Sequence, residues 1–270
     1  MTNLPTLVCV HAHPDDEAVF TSGISSHYSA LGHRVVLVTC TNGALGLDDK
    51  GRPGSDPDHD ADVTQSTRAG ELARAARHAG FTRAITLGYE DSGMVGWPQN
   101  ESPSAFTNVD VDVVATTLAA LFDEVDAKVV VTYDENGFYG HPDHIMANRV
   151  TQRAVTMSGD VERLYYPVVP AGVVEKFKHD AKEQGLSMPA FVLEAIPLTP
   201  DDRVAAVMDV RAYATRKQEC IAMHSSQVDN DDIVTMAPDL FAMLFGTEYY
   251  QRAWSRNPVV GDETDLFGGF

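Results

Sequence analysis

The sequence predicts an α/β fold: a Rossmann-like, mostly parallel sheet with helices on both faces, plus a smaller C-terminal α/β portion. Three observations point there. Short runs dense in β-branched residues alternate with stretches of helical composition, as strand–helix–strand units do. The runs are apolar throughout, which suits strands covered on both faces. Two long loops rich in Gly, Pro, Ser and Asp, 43–63 and 90–108, follow strands and so lie at the carboxyl ends, where such sheets bind ligands.

Taken in order, Thr6–Val10 is a short apolar strand. Glu17–Leu31 reads as a helix that stops at Gly32. Arg34–Thr39 is dense in Val and short, hence a buried strand. Thr64–Ala79, closed by Gly80, is the next helix, and Ala84–Leu87 is a brief strand. Val109–Val125 is helical, and Lys128–Tyr133 is a further buried strand. Pro142–Met157 is a helix with Pro in its first turn, and Val161–Val169 is a strand. Past Pro197 and Pro200, Asp201–Met223 reads as one long helix. Residues 1–165 are expected to form a Rossmann-like region, and 166–270 a C-terminal portion that completes the same domain. No GxGxxG follows the first strand, so a dinucleotide site is not indicated.

Acidic residues outnumber basic ones by 39 to 20, a net charge of −19. Lys and Arg do not cluster, which argues against a nucleic-acid partner, and the net charge argues against an anionic membrane surface. The three cysteines, Cys9, Cys40 and Cys220, form no CxxC and no disulfide framework. With no secretory leader and no apolar run of membrane-spanning length, the expectation is a cytoplasmic protein. Oligomeric state stays open.

Two histidine–aspartate clusters carry the chemistry: His11-Ala12-His13-Pro14-Asp15-Asp16-Glu17 after the first strand, and His141-Pro142-Asp143-His144 after the strand ending at Tyr133. His13 and Asp16, three apart at a helix entry, can face one point, and His144 completes a His2Asp set. Catalytic zinc takes three protein ligands and leaves a position for water. Iron(II) uses the same set. Asp15, between two ligands, is free to take a proton from that water. Each cluster alone has a plainer reading: helix-N-terminal carboxylates for Asp15 and Asp16, a surface turn for His141 and His144. Their joint placement at two strand ends favours the metal site. His11 reads as structural, and His27, His33, His59, His78 and His179 as surface residues. The run Asp56–Asp62 lacks the glycine and glutamate of a calcium loop and reads as a solvated acidic loop.

Ala12-His13-Pro14-Asp15-Asp16-Glu17 paired with Gly140-His141-Pro142-Asp143-His144 resembles the PIG-L/LmbE family of zinc-dependent N-acetylglucosaminyl deacetylases. The resemblance spans about the first 165 residues. Val131–Gly137 leading into Tyr139-Gly140-His141, with Asp91-Ser92-Gly93-Met94, is similar to its mycothiol branch, which holds a biosynthetic deacetylase and a mycothiol S-conjugate amidase. The resemblance implies zinc on His13, Asp16 and His144, with Asp15 as general base. It implies a cationic His141 beside the tetrahedral intermediate, oriented by Asp143, with either His141 or Asp15 as acid for the leaving amine, and Tyr139 at the oxyanion. It places Arg68 and Asp91 on sugar hydroxyls and Glu17 as support beside the metal site. The implied partner is a small N-acetylated sugar. In the C-terminal third only His224-Ser225-Ser226-Gln227 is suggestive.

Other metallohydrolases share an HxH at a strand end. The metallo-β-lactamase pattern HxHxDH is nearly spelled, but Asp16 stands where that pattern needs His. Amidohydrolase barrels need eight strand–helix units, for which 270 residues with two long loops leave little room. A mycothiol S-conjugate amidase or another metal-dependent amidase, a deacetylase of a different N-acetylated sugar, and a sugar- or metal-binding module without catalysis are the alternative functions.

Overall fold

The computed structural model describes residues 4–183, 197–227, 231–259, 261 and 263–268. In chain order the elements are β1 Thr6–His11, α1 Asp16–Phe20, α2 Ser22–Ala30, β2 Val35–Thr41, α3 Ala61–His78, β3 Arg83–Tyr89, α4 Val111–Glu124 and β4 Ala127–Val131. Then follow α5 Gly137–Gly140, α6 Pro142–Met157, β5 Arg163–Val168, α7 Ala171–Glu183, β6 Ala206–Asp209, α8 Ala214–Ala222, α9 Asp231–Val234, α10 Pro238–Phe245 and β7 Thr247–Ser255.

One seven-stranded sheet runs β3-β2-β1-β4-β5-β7-β6. The first five strands are parallel; β7 is antiparallel to β5, and β6 to β7. Successive residues of each buried strand serve opposite faces, so each continuous apolar run feeds two cores. On one face Val8, Val10, Val36 and Val38 pack with Leu118 and Phe122 of α4 and Val150 of α6. On the other, Leu7, Cys9, Leu37 and Val131 pack with Ile24 and Tyr28 of α2, Leu72 of α3 and Ile221 of α8. Cys9, Cys40 and Cys220 are all buried free thiols. Strand order reverses between β1 and β4, and a crevice opens at such a switch beyond the carboxyl ends. Both His–Asp clusters leave the sheet there.

Three expectations need correction. The helix expected over 17–31 is broken at Thr21, because the Glu248 carboxylate accepts the N–H groups of Gly23 and Ile24 and so supports a second helix start. The helix expected over 201–223 is a short turn, the strand β6 and then α8. Ala206 and Met208 point inward while β6 pairs with β7, a tertiary contact that outweighs their helix propensity. His59 is not a surface residue: its side chain is 4% exposed, and its two ring nitrogens meet the carbonyls of Arg52 and Ala44, closing the 43–60 loop on itself. Among the described residues no helix is long and apolar enough to cross a membrane.

Candidate active site

At the end of β1 the chain turns through Ala12–Asp15 into α1. The His13 N–H donates to Asp16 Oδ2 at 2.7 Å. Tyr133, just past β4, donates its hydroxyl to the same oxygen at 2.6 Å while accepting the Ala12 N–H. Asp16 Oδ1 is left 3.4 Å from His144 Nε2. His13 Nδ1 lies 3.3 Å from His144 Nε2 and 3.4 Å from Asp16 Oδ2. Asp16 thus turns a different oxygen to each histidine, and among the described residues the groups whose ligand atoms all lie within 4.8 Å of one another are His13, His141 and His144, and His13, Asp91, His141 and Asp143.

The other nitrogen of His13 faces two carboxylates. His13 Nε2 lies 3.2 Å from Asp143 Oδ2 and 3.7 Å from Asp91 Oδ1. A carboxylate on the distal nitrogen fixes an imidazole's tautomer and turns its lone pair to the metal. Burial works to lower the His13 pKa, but Asp91, Asp143 and Asp16 outweigh it and hold it well above the ordinary value. Burial likewise works to raise Asp16, yet His144 and His13 keep it well below the carboxylate range. Three buried carboxylates around one imidazole call for a cation, which a proton or a metal can supply.

Asp15 enters α1 with φ 129° and ψ −27°, a backbone region that non-glycine residues avoid. Its N–H donates to Glu17 Oε2 at 3.0 Å, and its carboxylate lies 3.1 Å from Arg68 Nη2. Burial pushes the Asp15 carboxyl up to about 6, against the lowering charge of Arg68. That leaves a carboxylate with a raised pKa at the edge of the His–Asp cluster.

Four implied roles meet a different geometry. The Asp143 carboxylate turns to His13 and to the N–H and hydroxyl of Ser92, not to His141. Asp143 sits in the inward-facing first turn of α6, and it is its backbone N–H that donates to His141 Nδ1, at 3.1 Å. Burial, with His13 and His144 beside it, pushes the His141 pKa down to about 3, which favours the neutral ring over the expected cation. Arg68 has both terminal nitrogens on protein, the Gly43 and Pro14 carbonyls at 2.7 Å each. Asp91 accepts the N–H groups of Gly93 and Leu45, which joins the two long loops. Both residues still line the cleft, as framework for it. Tyr139 stands on the rim, 52% exposed, with its ring 4.9 Å from that of His144. The cavity holds about 380 Å³. His13, Asp15, Asp16, Arg68, Asp91, Tyr139 and His141 line its polar end, and Val19, Phe20, Leu45, Met94, Trp97 and Phe138 its apolar wall.

The family model described as "PIG-L: GlcNAc-PI de-N-acetylase" matches residues 8–155, which contain both clusters. The chain belongs to the PIG-L family. A relative from Salinispora arenicola, named 1D-myo-inositol 2-acetamido-2-deoxy-alpha-D-glucopyranoside deacetylase, is 39% identical over a match that takes in 100% of this chain and 93% of the relative. Among solved structures, N,N'-diacetylchitobiose deacetylase from Pyrococcus horikoshii superposes with a TM-score of 0.59 at 19% identity, covering 92% of this chain and 83% of that one. A 4-carboxy-2-hydroxymuconate hydratase from Pseudomonas putida superposes nearly as well, with a TM-score of 0.58 at 15% identity over 95% and 99% of the two chains. These two likenesses concern the PIG-L fold, which hosts more than one reaction.

The PIG-L site also uses residues that the sequence did not single out. Tyr133 and Ser92 fix Asp16 and Asp143, and in the sequence each is only part of a longer string. The 224–227 patch stitches three elements together. His224 reaches Glu17 of α1, Ser225 and Ser226 reach Glu71 of α3, and Gln227 exchanges two hydrogen bonds with the backbone of Leu47 at the cavity edge.

Proposed function

We propose that this PIG-L protein is a metal-dependent N-deacetylase. It hydrolyses the N-acetyl amide of an N-acetylglucosamine-type glycoside, with zinc on His13, Asp16 and His144. The observation that supports the reading is the convergence of these side chains, His13 Nδ1 standing 3.3 Å from His144 Nε2 and Asp16 turning one oxygen to each histidine at 3.4 Å, with Asp15 lining the same cavity. A metal there supplies Lewis-acid polarisation of the amide carbonyl and of the attacking water. Asp15 accepts the water's proton and returns it to the departing amine, a role its position near the ordinary working pH suits. Because the Asp143 N–H occupies His141 Nδ1, a neutral His141 carries its proton on Nε2 and offers a hydrogen-bond donor without a charge. Tyr139 is the second candidate donor to the oxyanion. Each such donor is worth a factor of about 10²–10³ in rate. Arg68 and Asp91 hold the loops that shape the cleft, and the Trp97–Met94 wall offers an apolar face for a pyranose ring.

The relative's printed name makes N-acetylglucosaminyl-inositol the first substrate to test. The panel adds N-acetylglucosamine, N,N'-diacetylchitobiose and a mycothiol S-conjugate, with acetate and free amine measured together. Equal acetate and amine from a glucosaminide is the expected result. Amine release from the conjugate without acetate makes the protein an amidase, and release from none contradicts the reading.

A further inference from the structure

His224 lies just past α8, 207 residues from Glu17 in sequence, and is fully buried. Its Nε2 is 2.7 Å from Glu17 Oε1, while Glu17 Oε2 accepts the N–H of Asp15. The other ring nitrogen, Nδ1, is buried with no hydrogen-bond partner among the described residues, so the imidazole spends its polar capacity on Glu17. His224 is itself held in place by its neighbours, because Ser226 is tied to Glu71 of α3 and Gln227, at the cavity edge, to Leu47. Glu17 is also fully buried, and a buried carboxylate needs its partners. At the far end of this series stands Asp15, whose backbone is strained; of the cavity-lining residues only Phe138 shares a positive φ without being glycine.

We propose that His224 is a positioning residue for the reaction: through Glu17 it holds the Asp15 backbone in the conformation that aims its carboxylate at the metal pocket. The inference rests on the reading of Asp15 as the proton acceptor. His224 touches neither the metal ligands nor the cavity, so its effect is on turnover, not on metal or substrate binding. It also gives the C-terminal portion a part in catalysis beyond closing the sheet.

The test is a double-mutant cycle on the metal-loaded full chain, with metal content and thermal unfolding measured on every variant. His224→Ala is expected to lower kcat about 10–100-fold, a range seen for residues that orient a metal site from behind. KM should stay within about twofold, with one metal per chain retained. His224→Gln, whose amide can still donate to Glu17, should recover most of the loss. In the Asp15→Ala background His224→Ala should lower the residual rate no further, since the residue it acts through is gone. An equal fold-loss in both backgrounds marks a general structural role and overturns the proposal. So does unchanged kcat, or a loss that tracks metal content. If His224→Ala does not fold, His224→Gln carries the same cycle with a smaller effect and the same required disappearance in Asp15→Ala. Wild-type turnover by Asp15→Ala alone overturns the underlying reading instead, and is seen independently of the cycle.

Discussion

Asp15 holds a backbone conformation that costs a non-glycine residue about 1–3 kcal/mol, and such strain persists only where the surroundings enforce it. Here Glu17 restrains its N–H and Arg68 its carboxylate. Two substitutions separate binding from chemistry at this scale. Asp15→Ala should keep its metal and lose a factor of about 10²–10⁴ in kcat, the usual worth of a general base. His13→Ala should lose the metal itself. Metal analysis beside amine release checks both, and a metal-replete His13→Ala protein contradicts the ligand set. The pH dependence follows from the same residues. Asp15 must be ionised to accept a proton, so kcat/KM should fall as pH drops through its pKa, pushed to about 6 by burial and lowered further by any bound cation. Arg68 favours the ionised form, so Arg68→Gln should move this acid limb to higher pH. A limb that stays put or moves down would show that Arg68 does not act on Asp15. Of these residues, the proposed ligands and Asp15 stand out in the sequence because they share two short strings. The partner of Asp143 does not, because its contact with His13 spans 130 residues and depends on where Ser92 arrives.

At the scale of elements, β1, β2 and β4 were readable because burial on both faces leaves a run of Val, Leu and Thr that no surface segment carries, whereas β3 is an exposed edge strand. Where one distant carboxylate sets the structure, sequence pattern fails. Glu248 on β7 accepts the N–H groups of Gly23 and Ile24, the hydroxyl of Tyr250 and the ammonium of Lys217 on α8, all within 2.6–3.1 Å. It therefore decides where α2 begins and ties β7 and α8 to it. Glu248→Ala strands a buried lysine and two helix-start N–H groups. The expected destabilisation is about 3–5 kcal/mol, read as a lower urea midpoint. A shift under about 1 kcal/mol, the range of an exposed pair, would show that this cluster does not anchor the C-terminal portion.

At the scale of the molecule, one sheet brings together strings from both ends of the chain: 11–17 beyond β1, 132–144 beyond β4, the two long loops, and 224–227. Fold class was legible because it depends on periodicity. The cleft was only partly so, because its wall comes from loops whose shape is set by single contacts such as Asp91 to Leu45 and Gln227 to Leu47. The claim on which everything else stands is that the His–Asp triangle at the β1–β4 switch is a catalytic metal centre. It is tested most directly by adding zinc stepwise to metal-stripped protein while following amine release from N-acetylglucosaminyl-inositol. The rate should climb from near zero and reach its maximum at one zinc per chain. A metal-stripped protein that already turns over at the full rate would contradict the account.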